Sequence, residues 1–558
     1  MHTDPSALDR PPSDDGPTPG GDPVADDAWA KGAFAVALAA GFVLILYLGR
    51  DMWFKGDEWY FLADRDAGDL GDLFRPHNLV HWTTLPVLFY RAVYRAFGLH
   101  SYLAYQVPLV LLHVGIAWQL RRIMLRSRAD PWIATAAATA FLLFGSGFPN
   151  MIWAFQISLN GSLFLGLTHL LLATHDGPLD RRDGLGLLAG ALGLLCSGVA
   201  VTMVIIVGLA VLLRRGVRPA LIHTVPLATI YLIWWFGYAR SDEADALERG
   251  SPDQWVEFVW IGMKSTFAEL GQLPLVGLGL AVMLVVGMLL AWEPRRHLRP
   301  PAALAAPLAM LAGAVVFLFI TALGRVASAL GALDLVLGPE AGASPRYLYM
   351  VAALILPALA VAATASSRGR PMVLVAACLV FLVGIPGNID ALANPDGLSF
   401  DDDVIAFNRN LVLSFPRSPV AEQPPPALAP LPNTSVVTVG WLREALDAGK
   451  LPAPPRPTER FTNTVTLRLS LTASTEPPTN CVTTPSFEPV ELDKGDKLLF
   501  DVAGDSAVAS ITLVGTDGSD SSPYSFALAL TPIVEAVAGP LTVRVAENPG
   551  IAAVSVCG

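Results

Sequence analysis

The sequence predicts a polytopic all-α membrane domain of about eleven segments, followed by a small extracytoplasmic β-sandwich. Three observations predict it. The 558 residues are 53% hydrophobic and only 15% charged, with a mean hydropathy of +0.51, too apolar for an ordinary soluble protein. Apolar stretches of about 20 residues recur, each long enough for a hydrocarbon core of roughly 30 Å at 1.5 Å per residue. Beyond residue 460 the apolar pattern changes to a period of two, the signature of half-buried strands.

The charge divides the chain. Residues 1–30 carry about −6, residues 31–387 about +5 and residues 388–558 about −10. The first part, rich in Pro, Gly and Asp, has almost no apolar residue before Trp29 and reads as a disordered acidic tail; it has no basic region or cleavage site of a signal peptide. Apolar segments follow at about 32–49, 102–120, 131–147, 157–173, 219–238, 273–292, 301–323, 347–365 and 371–387. The stretch 184–213 is interrupted at Cys196-Ser197-Gly198 and has arginines on both flanks, so it reads as two short helices that enter and return.

The arginines set the orientation. Arg121, Arg122, Arg126 and Arg128, then Arg181 and Arg182, Arg214, Arg215 and Arg218, Arg295, Arg296 and Arg299, and Arg368 and Arg370 fall in alternate loops. With these loops cytoplasmic, the N-terminal tail is cytoplasmic and the C-terminal part extracytoplasmic. Three long loops, about 50–101, 239–272 and 324–346, then lie outside, and long ordered loops in a compact bundle usually carry function. The first contains an amphipathic pattern, Leu85, Leu88, Phe89, Ala92, Val93 and Ala96, suited to a helix lying at the interface. In the second, Trp255, Phe258, Val259, Met263 and Phe267 share a helical face; a further membrane segment is the alternative.

Residues 388–460 read as a short surface helix near 400–414 and a Pro-rich linker, SPVAEQPPPALAPLPNTS. In residues 461–558 Val465, Leu467, Leu469 and Leu471 alternate with Thr466, Arg468 and Ser470, and similar runs recur at sandwich spacing. Cys481 and Cys557 bracket this region, and an oxidised pair fits an outside location.

The chemistry is first bounded by absences. No GxxxxGK[ST], HExxH, GxSxG or CxxC pattern occurs, so P-loop ATP hydrolysis, zincin proteolysis and α/β-hydrolase chemistry have no motif. Nucleic acid is not an expected partner, since the chain is acidic, at −11, and has no basic soluble face. What remains is Asp57-Glu58, just outside the first membrane segment beside Gly56 and the aromatic residues Trp59, Tyr60 and Phe61. Partial desolvation there raises a carboxyl toward a useful general base, while a solvated loop pair or a helix cap is the plainer alternative. His77 and His81 follow, four apart and on one face if their segment is helical, suited to hydrogen bonding a phosphate or carboxylate. A divalent cation at the acidic pair is an open possibility with too few ligands in view. Arg325 leaves one membrane segment and Arg346-Tyr347 enters the next, where a phosphate partner would offset the desolvation of the guanidinium groups; snorkelling in an aromatic belt is the alternative. Trp153, Phe155 and Gln156 lie on the same side and line a sugar site or pack the core.

This order resembles the C-type glycosyltransferase (GT-C) superfamily, which includes protein O-mannosyltransferases and aminoarabinose transferases. The resemblance covers roughly 31–387 and rests on Asp57-Glu58 after the first segment, the stretch from His77 to Gly98, and Arg121-Arg122 closing the second segment. Where the family reads HPPL this chain reads HNLVHWTTLP. The resemblance implies an inverting hexosyl- or pentosyltransferase that moves a sugar from a polyprenyl-phosphate donor to a glycan, lipid or protein acceptor of the cell envelope. It makes Asp57 the general base, Glu58 the alternate or a support, and Arg325, Arg346 and Tyr347 the holders of the lipid phosphate. His77 and His81 would orient phosphate or acceptor. A carrier or flippase for a lipid-linked substrate, with its site at 184–213, is the rival. The Ala, Gly, Pro and Arg usage with few Lys suits the plasma membrane of a high-GC bacterium.

Overall fold

The computed structural model describes residues 23–454 apart from 66–67, 79–80, 241–249, 293–300, 327–337, 398–399, 418–425, 427–428 and 432–433, and beyond these nine strands with their adjoining turns up to Gly558. Residues 1–22 of the acidic tail, Arg295, Arg296 and Arg299, most of the Pro-rich linker, and Val465 and Leu467 lie outside the described residues.

Eight described helices are long and apolar enough to cross a membrane: Asp27–Leu48, Leu103–Arg126, Ala154–Ala173, Val217–Ala239, Pro274–Trp292, Ala302–Arg325, Pro345–Ser367 and Pro371–Ala393. The first helix begins at Pro23, inside the stretch read as tail, because proline suits a first helical turn. Of the other expected crossings, Pro131–Leu142 has 12 residues, and the 184–213 stretch forms two helices, Arg181–Leu194 and Val199–Arg215, broken at the Cys196-Ser197-Gly198 turn. Their ends are specified locally. The Asp130 carboxylate accepts from the Trp132 and Ile133 amides, and Asp180 and Asp183 form a reciprocal capping box.

Pro345–Ser367 is the axle of the bundle. Its most apolar window is 94% buried, against 22% for Pro371–Ala393, so the former is walled by protein and the latter faces outward. Close approach to it rests on small residues, since a Cβ on Gly287 would collide with the Ala362 carbonyl oxygen, and between Ala305–Arg325 and Val199–Arg215 one on Gly313 would collide with Ile206. Buried polar groups pair across helices, as His113 Nδ1 does with the Tyr349 hydroxyl at 2.8 Å.

Helix ends alternate between an arginine face, with Arg126, Arg182, Arg214 and Arg215, and an opposite loop face. Three amphipathic or apolar helices belong to the loop face. Thr84–Phe97 packs over Glu58 through Tyr90, and Pro252–Gly271 joins the ends of other helices: Gly250 donates to the Val326 carbonyl, and Asn388 donates to that of Glu269. Asp402–Ser414 is helical, where a short helix is expected near 400–414.

The C-terminal strands are Leu469–Thr472 (β1), Cys481–Thr484 (β2), Val490–Leu492 (β3), Lys497–Val502 (β4), Val508–Val514 (β5), Tyr524–Ala527 (β6), Ile533–Ala536 (β7), Leu541–Val545 (β8) and Ile551–Cys557 (β9). They form two antiparallel sheets, ordered β1-β7-β4-β9-β2 and β3-β8-β5-β6. Leu498, Phe500, Val534 and Val554 from the first sheet and Ile511, Leu513, Val543 and Val545 from the second share one buried cluster. Cys481 stands directly opposite Cys557 in the β2–β9 register, and the two form a disulfide.

Candidate active site

The segment after the first crossing is fixed by aromatic packing. Trp53, Phe54 and Trp59 are buried, and Phe54 meets the rings of Tyr102 and Tyr105 edge-on at 5.1 and 4.8 Å. The chain then turns at Gly56, whose φ of 53° favours glycine, and the Glu58, Trp59 and Tyr60 amides bond back to Lys55, Gly56 and Asp57 carbonyls. This turn sends the two neighbouring carboxylates to different partners.

Glu58 is fully buried. Its Oε1 accepts the Tyr90 hydroxyl at 2.7 Å and the Tyr102 hydroxyl at 3.1 Å, and its Oε2 accepts the Lys55 amide at 2.9 Å. Burial outweighs these bonds and pushes its carboxyl up to about 7. Asp57 instead keeps 28% of its side chain exposed and stands 3.8 Å from His77 Nε2. Burial acts to raise the Asp57 carboxyl, yet His77 and the charges of Arg346 and Arg325 prevail and hold it below the usual carboxylate range. At neutral pH Asp57 is therefore a carboxylate, partly open and within reach of the charges of Arg325 and Arg346.

His77 is buried, walled by Tyr60, Phe61 and Phe155 at ring distances of 5.7, 5.1 and 5.5 Å. The 3.8 Å gap to Asp57 is too long for a hydrogen bond, and His77 Nε2 has no hydrogen-bond partner among the described residues. A buried donor or acceptor aimed at a half-open carboxylate is what a site for a polar ligand requires. The helical reading of this segment is corrected: His77 and His81 pair as an isolated antiparallel bridge, with amide-to-carbonyl bonds of 2.8 and 3.0 Å, and Asn78 takes a φ of 47°. Asn tolerates that backbone, and the turn it permits replaces the helix. Half-buried His81 lies 3.5 Å from Ser197 Oγ, at the break of the helical pair. Burial, then Arg325, His77 and Arg346, drive its imidazole down to about 3, so His81 is neutral.

Arg325 closes the Ala305–Arg325 helix and Arg346 opens Pro345–Ser367, so both guanidiniums are delivered by helix ends to the neighbourhood of Asp57 and His81. Neither makes an ion pair with a described carboxylate. Tyr347 is buried between Phe258 and Phe317, and Arg346 sits 5.1 Å from its ring centroid, so the tyrosine is a platform for the arginine.

Beside this group a cavity of about 210 Å³ is lined by Phe148, Trp153, Ser344, Arg346, Asp396 and Phe400, among others. Lys55 Nζ faces the Trp153 and Phe400 rings at 5.3 and 2.7 Å, and burial, against the attraction of Glu58, brings its amine down to about 6. Trp153 thus lines the cavity, Phe155 walls His77, and Gln156 is buried.

The tertiary structure adds residues that no local pattern marked. Arg65 donates to the carbonyls of Asp72, Arg75 and Pro76 at 2.6, 2.7 and 2.8 Å, tying down the short helix Leu70–Phe74 and the segment after it that leads into His77. Tyr90 and Tyr102, 32 and 44 residues from Glu58, hold that carboxyl. As for the expected cation position, Asp57 and Glu58 do not converge. A His175, Asp180 and Asp183 group does come within 4.8 Å, but on the arginine face, where Arg182 and Arg215 already pair with its carboxylates. No family model matches the chain, and neither does a curated protein or a solved structure.

Proposed function

We propose that the protein is a membrane glycosyltransferase that moves a sugar from a polyprenyl-phosphate donor to an acceptor hydroxyl at the loop face, with inversion. The observation that carries the reading is the nearness of an ionised, partly open Asp57 to a buried His77 nitrogen that lacks a hydrogen-bond partner among the described residues, with two arginines close enough to act on Asp57 that form no ion pair with a described carboxylate. Asp57 accepts the acceptor's proton as the acceptor oxygen bonds to the anomeric carbon. The bond from that carbon to the phosphate oxygen breaks on the opposite side, and its electron pair leaves with the lipid phosphate. Arg325 and Arg346 offset the charge that develops there. A carboxylate of low basicity takes the proton late, once the attacking hydroxyl has been acidified by bond formation. His77 positions the acceptor or the leaving phosphate, and neutral His81 offers hydrogen bonding without adding charge. Glu58 serves as a buried support for the turn that presents Asp57.

In this reading the bundle makes eleven crossings: the eight long helices, Pro131–Leu142 and the two arms of the broken pair. The arginine face is cytoplasmic, the loop face lies in the envelope space of a bacterium, and the two-sheet unit is a β-sandwich outside. The rival carrier reading draws support from one feature, the polar groups buried beside the broken pair. His169 Nε2 bonds to His223 Nδ1 and His223 Nε2 to Asp183, each at 2.9 Å. Because these groups satisfy one another, we assign them to structure.

The test is donor turnover by purified protein in liposomes containing polyprenyl-phosphate sugars and envelope acceptors. Wild type releases polyprenyl phosphate, Asp57→Asn does not, and Glu58→Gln retains turnover where it folds. Equal turnover in Asp57→Asn and wild type would refute the general-base assignment; counterflow of intact donor without cleavage would favour the carrier.

A further inference from the structure

At the other end of the bundle a second cavity, of about 320 Å³, opens on the arginine face. It lies between the last turns of Leu103–Arg126, Ile157–Ala173 and Val199–Arg215 and the first turns of Arg181–Leu194 and Ala305–Arg325. Its lining joins two chemistries. Arg126, Arg182 and Arg214 supply guanidiniums, and Leu172, Ala303 and Ala306 supply hydrocarbon.

The positive charge is only partly compensated. Arg214 pairs with Asp176 at 2.9 Å and Arg182 with Asp180 at 2.7 Å. Arg126 donates to the Leu171 carbonyl and pairs with no described carboxylate, while Arg122, Arg214 and Arg182 are all near enough to repel it. The inner acid, Asp183, is not available to neutralise them, since it is held by Arg215, His175 and His223. These contacts also brace the cavity wall. Crowded cations are costly unless an anion joins them, and a phosphate accepts from several guanidiniums at once.

Two further features set the depth of the cavity. One turn before Arg126, Arg122 rests 4.6 Å from the ring of Trp118, which is 45% exposed, the pairing expected at a headgroup level. Next to Arg214, Leu212 and Leu213 are 42% and 38% exposed on the helix surface, where a bundle meets acyl chains. The site therefore straddles hydrocarbon and headgroups, which a freely dissolved anion has no reason to prefer.

We propose that this cavity binds the headgroup of an anionic phospholipid from the leaflet on the arginine face. The phosphate engages Arg126, Arg182 and Arg214, and the acyl chain leaves along Leu172 and Ala306. Basic pockets between membrane helices take anionic lipids by this combination. The bound lipid would clamp the broken helical pair, whose turn at Ser197 touches His81, to the rest of the bundle.

The experiment uses the full chain in nanodiscs of phosphatidylcholine with and without phosphatidylglycerol, and reads retained lipid by native mass spectrometry and thermal stability. Phosphatidylglycerol should be retained over phosphatidylcholine and should raise the melting temperature. Arg126→Gln and Arg214→Gln should each weaken retention about fivefold, the factor for one interfacial charge. Arg182→Gln, at a half-exposed side chain, keeps the test decisive if the deeper variants fail to fold, and Arg50→Gln on the loop face is the charge-matched control. Equal retention of the two lipids, or unchanged retention in Arg182→Gln, overturns the proposal. So does an equal stabilisation by inorganic phosphate in detergent, which would give the site to a soluble phosphate.

Discussion

Replacing Glu58 by Gln tests the division of labour between the two adjacent carboxylates, and its outcome depends on pH. Burial raises the Glu58 carboxyl from 4.5 to about 7, which corresponds to roughly 3 kcal/mol. Because the folded value is raised, this group's contribution to stability is fully present below pH 4.5 and is lost as pH rises through 7. Most of that, about 2–3 kcal/mol, is lost between pH 5 and 8. Glutamine has no charge to bury, so the variant lacks this slope. It keeps an oxygen for Tyr90 and Tyr102 but turns an amide donor toward the Lys55 amide, which costs about 1–2 kcal/mol at any pH. Glu58→Gln should therefore be less stable than wild type at pH 5 and equal or more stable at pH 8. Lys55, lowered to about 6, contributes stability that is present above 10.5 and lost as pH falls toward 6, so the measurement is the difference between variant and wild type. Thermal unfolding in detergent across pH 5 to 8, with ligand-free protein, reads it. Parallel pH profiles for the two proteins would refute the account of Glu58 as a buried, proton-retaining support.

Asp57→Asn should lower donor turnover by about 10² to 10⁴ with little change in melting temperature, since the side chain is partly open and makes no hydrogen bond to a described side chain. Arg346→Gln should cost about 10² to 10³ in kcat, measured in single-turnover assays, because its charge is needed most as the phosphate departs. Arg65→Gln should reduce both stability and turnover by loosening the segment before His77, and an unchanged protease-cleavage pattern around residues 66–80 would count against that role. Cys557→Ala should destabilise the two-sheet unit by about 4 kcal/mol, given a sequence separation of 76, and is read by limited proteolysis of that unit against wild type under oxidising conditions.

The membrane class was legible in the sequence because a hydrocarbon core demands about 20 apolar residues from every crossing helix, and that demand is local. The broken pair at 184–213, the helix at 252–271 and the facing Cys481 and Cys557 were legible for related reasons: a run too long for one crossing, a helical face, two cysteines at the ends of a stranded region. Residues 57 and 58 could be picked out but not told apart, since adjacent carboxylates look alike until the fold sends one to Tyr90 and Tyr102 and the other to His77. The spacing of His77 and His81 allowed a helix, and the bridge across Asn78 decided against it, because paired backbone groups and the hold of Arg65 on the preceding segment outweigh a four-residue spacing. Likewise the sequence shows arginines in alternate loops, but only packing brings Arg126, Arg182 and Arg214, far apart along the chain, to one cavity. Periodicity records what each segment needs from its solvent, whereas a site depends on contacts between segments, and those exist only once the helices have packed.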